Sequence, residues 1–211
     1  MASSIVHLAV TNELAKKVAF TDTNRLKFGA VVVDAGVGGN DNGIAHLKIK
    51  VDGKRTYDFD RFRNMFGERM LTDDLYMGYY LHLVQDILYR HYVYDRYHWN
   101  PTIPGNVERL HKDYAVVNKY IIEKYGLKND IIVPEGFENE ELTGISPYDT
   151  QELIKNLEEF FKPVEDEPIF FFTKEMTDEF IGEALEFCID EVGKLHRGEA
   201  GIDMIQYAWT R

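Results

Sequence analysis

Thr72-Asp73-Asp74-Leu-Tyr-Met-Gly78-Tyr-Tyr-Leu-His82-Leu-Val-Gln-Asp86-Ile-Leu-Tyr-Arg90 is the stretch on which the fold turns. Thr72, Asp73 and Asp74 suit the positive start of a helix. The spacing predicts a helix over residues 72–97, ended by Trp99-Asn100-Pro101. His82 and Asp86, four residues apart, then share one face, one turn from each other. An imidazole nitrogen and a carboxylate oxygen so placed can hold one divalent ion. In isolation the pair reads more simply as a core hydrogen bond.

Most of the remaining chain also reads as helix. Residues 12–20 form a short helical stretch with Thr11 or Asn12 as its cap. Asn24 caps a second, through Leu26 and Phe28 into Ala30–Val33 and ending at Asp34. Gly36, Gly38, Gly39 and Gly43 mark an irregular loop. Residues 46–59 differ: Leu47, Ile49 and Val51 alternate with Lys48 and Lys50, and Asp52-Gly53 precedes Thr56-Tyr57, a β-hairpin signature. Asp60 suits a cap for residues 61–66. Asn106 suits one for a helix through Lys124, with Gly126 at its end. Residues 129–148, holding Pro134, Gly136, Gly144 and Pro147, read as a loop. Helical patterns return at 150–161 and 173–195, each led by a threonine. Pro163 and Pro168 bracket an acidic link, and residues 202–209 suggest a last short helix. The expected class is mainly α, a bundle-like core with one hairpin; a mixed α+β domain is the alternative. Residues 1–128 form the helical core of this reading. Residues 129–211 form an acidic helical part on the same domain.

The 211 residues carry 45% hydrophobic and 28% charged side chains, which excludes a largely disordered chain. No apolar run reaches the roughly 18 residues of a membrane helix. Residues 1–10 lack a basic n-region, so no secretory signal is expected and a cytoplasmic location is. The lone Cys188 forms no internal disulfide and no cysteine zinc cluster, so a metal site must use His, Asp and Glu. The net charge of −12 divides unevenly, +3 over residues 1–129 and −15 over residues 130–211. An acidic half disfavours a nucleic-acid scaffold and also suits a plain solvated face.

Four locations form an ordered set: His7, Asp34, His46, and His82 with Asp86. Singly, His7 reads as a core histidine, Asp34 as a turn carboxylate and His46 as an exposed loop residue. Most adjoin apolar segments, and a shared metal site explains the set with one cause. His111 and Glu108 share a helix face at the Glu-x-x-His spacing of di-iron bundles, but those need a second such motif and two more glutamates. His91 is nine residues beyond His82, on the far side of a straight helix. His98 and His196 receive no role.

The ordered set resembles the bacterial zinc-dependent phospholipase C family, an all-helical metallohydrolase fold. Ser4-Ile-Val-His7-Leu, Val33-Asp34-Ala35, Ala45-His46-Leu47 and Gly78-Tyr-Tyr-Leu-His82-Leu-Val-Gln-Asp86 look like its metal-binding motifs. The resemblance covers about residues 1–115 and leaves the acidic C-terminal part unexplained. It implies a phospholipase C or nuclease type core with one to three zinc ions, two favoured, or another divalent metal. His46, His82 and Asp86 would form one shell. His7 would hold another ion with Asp86 bridging. Asp34 would be a ligand or the base for the attacking water. Apart from the resemblance, His111 stays as an accessory residue, a phosphate-facing acid or a ligand, with a solvated Glu108–His111 pair as the plainer reading. Where that family has a ligating N-terminal tryptophan, this sequence reads Met1-Ala2, and four residues after His111 stands Ala115 where the family has a glutamate.

The expectation is therefore a zinc-dependent phosphoester hydrolase, with a phosphodiester favoured. Its partner would be a small phosphoester or phospholipid head group, and a homo-oligomer stays open. An HD-type phosphohydrolase wants an adjacent His-Asp pair, which this chain lacks. A non-enzymatic helical interaction module with a structural or vestigial ion is the other alternative. There is no P-loop, Rossmann spacing, Gly-x-Ser-x-Gly elbow or His-Glu-x-x-His. Tyr89, Tyr92, Tyr94 and Tyr97 suit either packing or a cleft wall.

Overall fold

The computed structural model describes residues 2–37, 43–162 and 167–210. Gly38, Gly39 and Pro163 lie outside them. The described residues are mainly helical, with seven α-helices and one two-stranded hairpin. The expected class is therefore observed. The helices are α1 (Ser4–Ala15), α2 (Thr23–Val32), α3 (Phe59–Thr72), α4 (Asp74–Arg90), α5 (Asn106–Tyr125), α6 (Thr150–Phe160) and α7 (Lys174–His196). None of them is long and apolar enough to cross a membrane.

Helix α1 starts eight residues earlier than the sequence suggested. Ser3, not Thr11 or Asn12, is the cap, its Oγ accepting from Val6 N. Residues 4–11 are all buried, because α1 runs through the molecule between α2, α5 and α7. A helix wrapped on every side shows no amphipathic period, so its first two turns left no signature.

Helix α4 is the second central element. Asp73 caps it by accepting from Leu75 N, and every residue from Leu75 to Ile87 is buried. Beyond Arg90 the chain widens into a π-helical turn, His91–Arg96, rather than continuing as a straight helix to Tyr97. Helices α2 and α4 cross at two glycines. A Cβ on Gly78 would stand 2.2 Å from Leu26 O, and one on Gly29 the same distance from Leu75 O. Only glycine lets these backbones approach so closely.

The hairpin pairs β1 (Lys48–Val51) with β2 (Lys54–Tyr57) in antiparallel register, Lys48 opposite Tyr57. Asp52 and Gly53 both adopt positive φ, 50° and 79°, as a two-residue turn of this kind requires. Asp58, rather than Asp60, caps the following helix α3 through Arg61 N. Likewise Asp149 caps α6, one residue before the threonine, whereas Thr173 does cap α7. Gly126, at φ 60°, ends α5.

Residues 129–148 contain two short 3-10 turns and are tied down by charge. Glu140 accepts from Arg25 (2.7 Å), Arg69 (3.0 Å) and Tyr76 (2.9 Å), linking this segment to α2, α3 and α4. Residues 202–209 form no helix. They hold a turn at 204–207 and a bridge in which Trp209 pairs with Arg55 of the hairpin. Glu191 anchors this tail by accepting from Ile202 N (2.8 Å) and Tyr80 OH (2.5 Å).

Candidate metal centre

The five His and Asp residues of the ordered set meet at one place. α1 supplies His7, and the 3-10 turn after α2 supplies Asp34. The turn before β1 supplies His46, and α4 supplies His82 and Asp86. His82 Nε2 lies 3.2 Å from His46 Nε2 and 3.8 Å from both Asp34 Oδ1 and Asp86 Oδ2. His46 Nε2 lies 3.6 Å from Asp34 Oδ1 and 3.4 Å from Asp86 Oδ2. Donors about 2.05 Å from a tetrahedral ion stand about 3.3 Å apart, so these separations are close to those of a coordination shell. The sharing of His82 has a consequence. One triad is His46, His82 and Asp86; the other is His7, Asp34 and His82. A ring nitrogen has one lone pair, so His82 Nε2 serves one ion only.

The surrounding groups fix the tautomers. His82 Nδ1 donates to the backbone oxygen of Ala30 at 2.8 Å, which leaves Nε2 as a bare acceptor. His7 Nδ1 donates to Gln85 Oε1 at 3.1 Å, so its Nε2 is also an acceptor. That atom is fully buried, makes no hydrogen bond among the described residues, and faces Asp86 Oδ1 at 3.5 Å. A lone pair opposite a carboxylate in the core is an uncompensated arrangement, and a cation between them resolves it. The rings of His7 and His82 stack at 3.9 Å. The donor set therefore fits a divalent ion such as zinc.

Charge within the cluster is strongly coupled. Burial works against the proton on His46, but hydrogen bonds to Asp34 and Asp86 outweigh it and push its pKa up to about 9. Burial, and then His7 beside it, hold His82 down at about 3. For Asp34, burial is outweighed by His82 and His46, and the carboxyl falls to about 2. Asp86 lies well below the usual carboxylate range: burial opposes this, and His46, His7 and His82 overcome it. Asp86 also accepts from Ala2 N (3.0 Å) and Tyr57 OH (3.4 Å).

Four members of the set are completely buried; the side chain of Asp34 alone keeps 19% exposure. It accepts from Ser4 Oγ at 3.2 Å and opens on a cavity of about 620 Å³. His111, Tyr114, Asn118 and Phe160 form other parts of that cavity wall, with the start of α1 at Ser3 and Ser4. The structure thus brings the exposed His111 to the same cavity as Asp34, outside the buried cluster. His91 turns to another face, where its Nδ1 meets Asp95 at 3.0 Å.

Sequence reading did not find Gln85, Tyr57 or the Ala30 carbonyl, the groups that orient His7, Asp86 and His82. Gln85 carried a signal, since it is an amide beside Asp86 in an otherwise apolar helical run. The carbonyl carried none. Comparison of the chain with family models, curated proteins and solved structures gives no match.

Proposed function

We propose that this chain is a metal-dependent phosphoester hydrolase, with zinc as the favoured ion and a phosphodiester as the favoured substrate. The observation that carries the reading is the buried, unbonded His7 Nε2 facing Asp86, within a cluster whose one exposed member borders a cavity. His46, His82 and Asp86 would hold one ion with Asp34 beside them. His7 would hold a second with Asp86 bridging. The resemblance to zinc-dependent phospholipases C agrees with this arrangement.

A bound divalent ion supplies a water of lowered pKa and neutralises charge on the phosphoryl oxygens. This chain's own residues do the rest. Asp34, ionised at any ordinary pH, orients the attacking water and takes its proton. Across the same cavity, His111 protonates the leaving oxygen. Ser3 and Ser4, at the N-terminal end of α1, and Asn118 of α5 meet the substrate's charged group. A soluble phosphoester and a lipid head group both fit this description.

The burial of four of the five residues is also what a purely structural ion would need, which favours the interaction-module reading as the alternative. Hydrolysis of bis(p-nitrophenyl) phosphate by zinc-loaded protein separates the two. The hydrolase reading expects metal-dependent turnover, reduced at least about 100-fold in Asp34→Asn and about 10- to 100-fold in His111→Ala. Stoichiometric metal with no turnover on phosphodiesters or phosphomonoesters would leave the structural ion.

A further inference from the structure

A second cavity, of about 490 Å³, lies at the far end of α4, bordered by Arg90, His91, Tyr94, His98, Tyr207 and Trp209. It is built around an arginine in an unusual position. Arg90 is partly buried, with its Nε fully so, and its guanidinium carbon lies 4.3 Å from the centre of the Trp209 ring and 5.6 Å from that of Tyr94. Arg25, Arg63, Arg69, Arg96 and Arg197 all pair with carboxylates. Among the described residues Arg90 forms no such pair. Its polar neighbours are the Tyr57 and Tyr94 hydroxyls, and Asp86 is the carboxylate whose charge it feels. Asp86 is already engaged by Ala2 N, Tyr57 and His46.

Two buried donors here have no acceptor among the described residues: Arg90 Nε and Trp209 Nε1. A buried donor without an acceptor, and a buried charge without a counter-charge, are both costly. In a chain of net charge −12, carboxylates are plentiful, yet none of the described residues pairs one with Arg90. Among the described residues of the cavity wall the one carboxylate, Asp95, is taken by His91.

The backbone around the cavity is also irregular. Part of the wall, His91, Tyr94 and Asp95, comes from the π-helical turn His91–Arg96, and His98 stands in the left-handed region at φ 54°. Widened helical turns and left-handed residues other than glycine gather at binding sites. Tyr94, Tyr207 and Trp209 add flat apolar surface.

We propose that this cavity binds a small organic oxyanion, a phosphate or carboxylate carried on a planar ring. The anionic head pairs with Arg90, and the ring rests on the aromatic wall. The bound anion supplies the counter-charge that no carboxylate of the described residues gives Arg90. The site is distinct from the metal cluster, and does not depend on the hydrolase reading.

The test is titration of the full chain with phenylphosphonate, benzoate and inorganic phosphate, by calorimetry and by the indole N–H resonance of Trp209. The account expects saturable binding of phenylphosphonate, weakened at least about tenfold in Arg90→Gln and unchanged in Asp34→Asn, since Asp34 belongs to the other cavity. Benzoate binding at the same site extends it to carboxylates. Inorganic phosphate binding as tightly as phenylphosphonate keeps the oxyanion site and removes the ring from its ligand. Should Arg90→Gln not fold, the exposed His98→Ala and the wild-type Trp209 resonance carry the test: the resonance must shift on titration. Absence of saturable binding up to about 10 mM, a motionless Trp209 signal, or equal binding by wild type and Arg90→Gln overturns the proposal.

Discussion

Substituting Gly78 by alanine adds one carbon where α4 meets α2. That carbon would stand 2.2 Å from Leu26 O and 3.0 Å from Ala30 N. An ordinary carbon–oxygen approach is about 3.3 Å, so the two helices must part by roughly 1 Å. The opposing atoms are backbone, which cannot rotate aside. Overpacking of this kind costs typically about 1–3 kcal/mol, and a rigid backbone contact belongs at the upper end. At about 2–4 °C per kcal/mol for a chain of this size, Tm falls by roughly 6–12 °C. The effect reaches the His/Asp cluster, because His82 follows Gly78 by one turn and its Nδ1 bonds Ala30 O across the same contact at 2.8 Å. Opened by about 1 Å, that hydrogen bond is lost, and such supporting bonds are worth about 10- to 100-fold in metal affinity. The assay is thermal unfolding with and without zinc, paired with competitive metal titration. Gly67→Ala is the control, since nothing lies within 4 Å of the added carbon and α3 gains up to about 1 kcal/mol. A Gly78→Ala protein melting within about 2 °C of wild type, with undiminished zinc affinity, would refute the close-crossing argument.

Asp113→Ala removes the acceptor for three backbone N–H groups, of Phe170, Phe171 and Phe172, at 2.7, 2.7 and 2.9 Å. Urea unfolding should show a loss of about 3–5 kcal/mol, and a loss under about 1 kcal/mol would count against this anchor. The metal-free protein should be most stable near pH 6.5. His46, raised from 6.5 to about 9, contributes stability that is complete below pH 6.5 and lost as pH rises through about 9. His82, lowered from 6.5 to about 3, contributes stability that is complete above pH 6.5 and lost as pH falls towards 3. Denaturant midpoints of chelator-treated protein should therefore drop on both sides, and His46→Gln should flatten the alkaline limb; an unchanged alkaline limb in that variant would contradict the assignment.

The residues of the cluster were legible because they are polar side chains set in apolar surroundings. His7 within Ile5–Val10 and His82 with Asp86 inside a nearly unbroken hydrophobic run stand out on a single reading. Helix α4 was legible for the same reason, through its aspartates and Pro101. Helix α1 was not, because burial on all sides erases periodicity, and Thr11 and Asn12 resemble a cap that Ser3 in fact provides. The tail at 202–209 was misread because its short apolar pattern serves a bridge to Arg55 rather than a helix. Arg90 carried a faint signal, eight residues after His82 on the same face of α4. Its aromatic enclosure depends on Trp209, over a hundred residues away, and no local pattern reports that.

Metal content bears most directly on the account. Wild-type protein and Asp86→Asn would be purified without a histidine tag, loaded with excess zinc, desalted and measured by elemental analysis. The account predicts one to two zinc ions per chain in the wild type, with two favoured, and loss of bound metal in a still-folded Asp86→Asn protein. No retained metal in the wild type, or equal retention in the variant, would contradict the claim that His7, Asp34, His46, His82 and Asp86 form a metal centre.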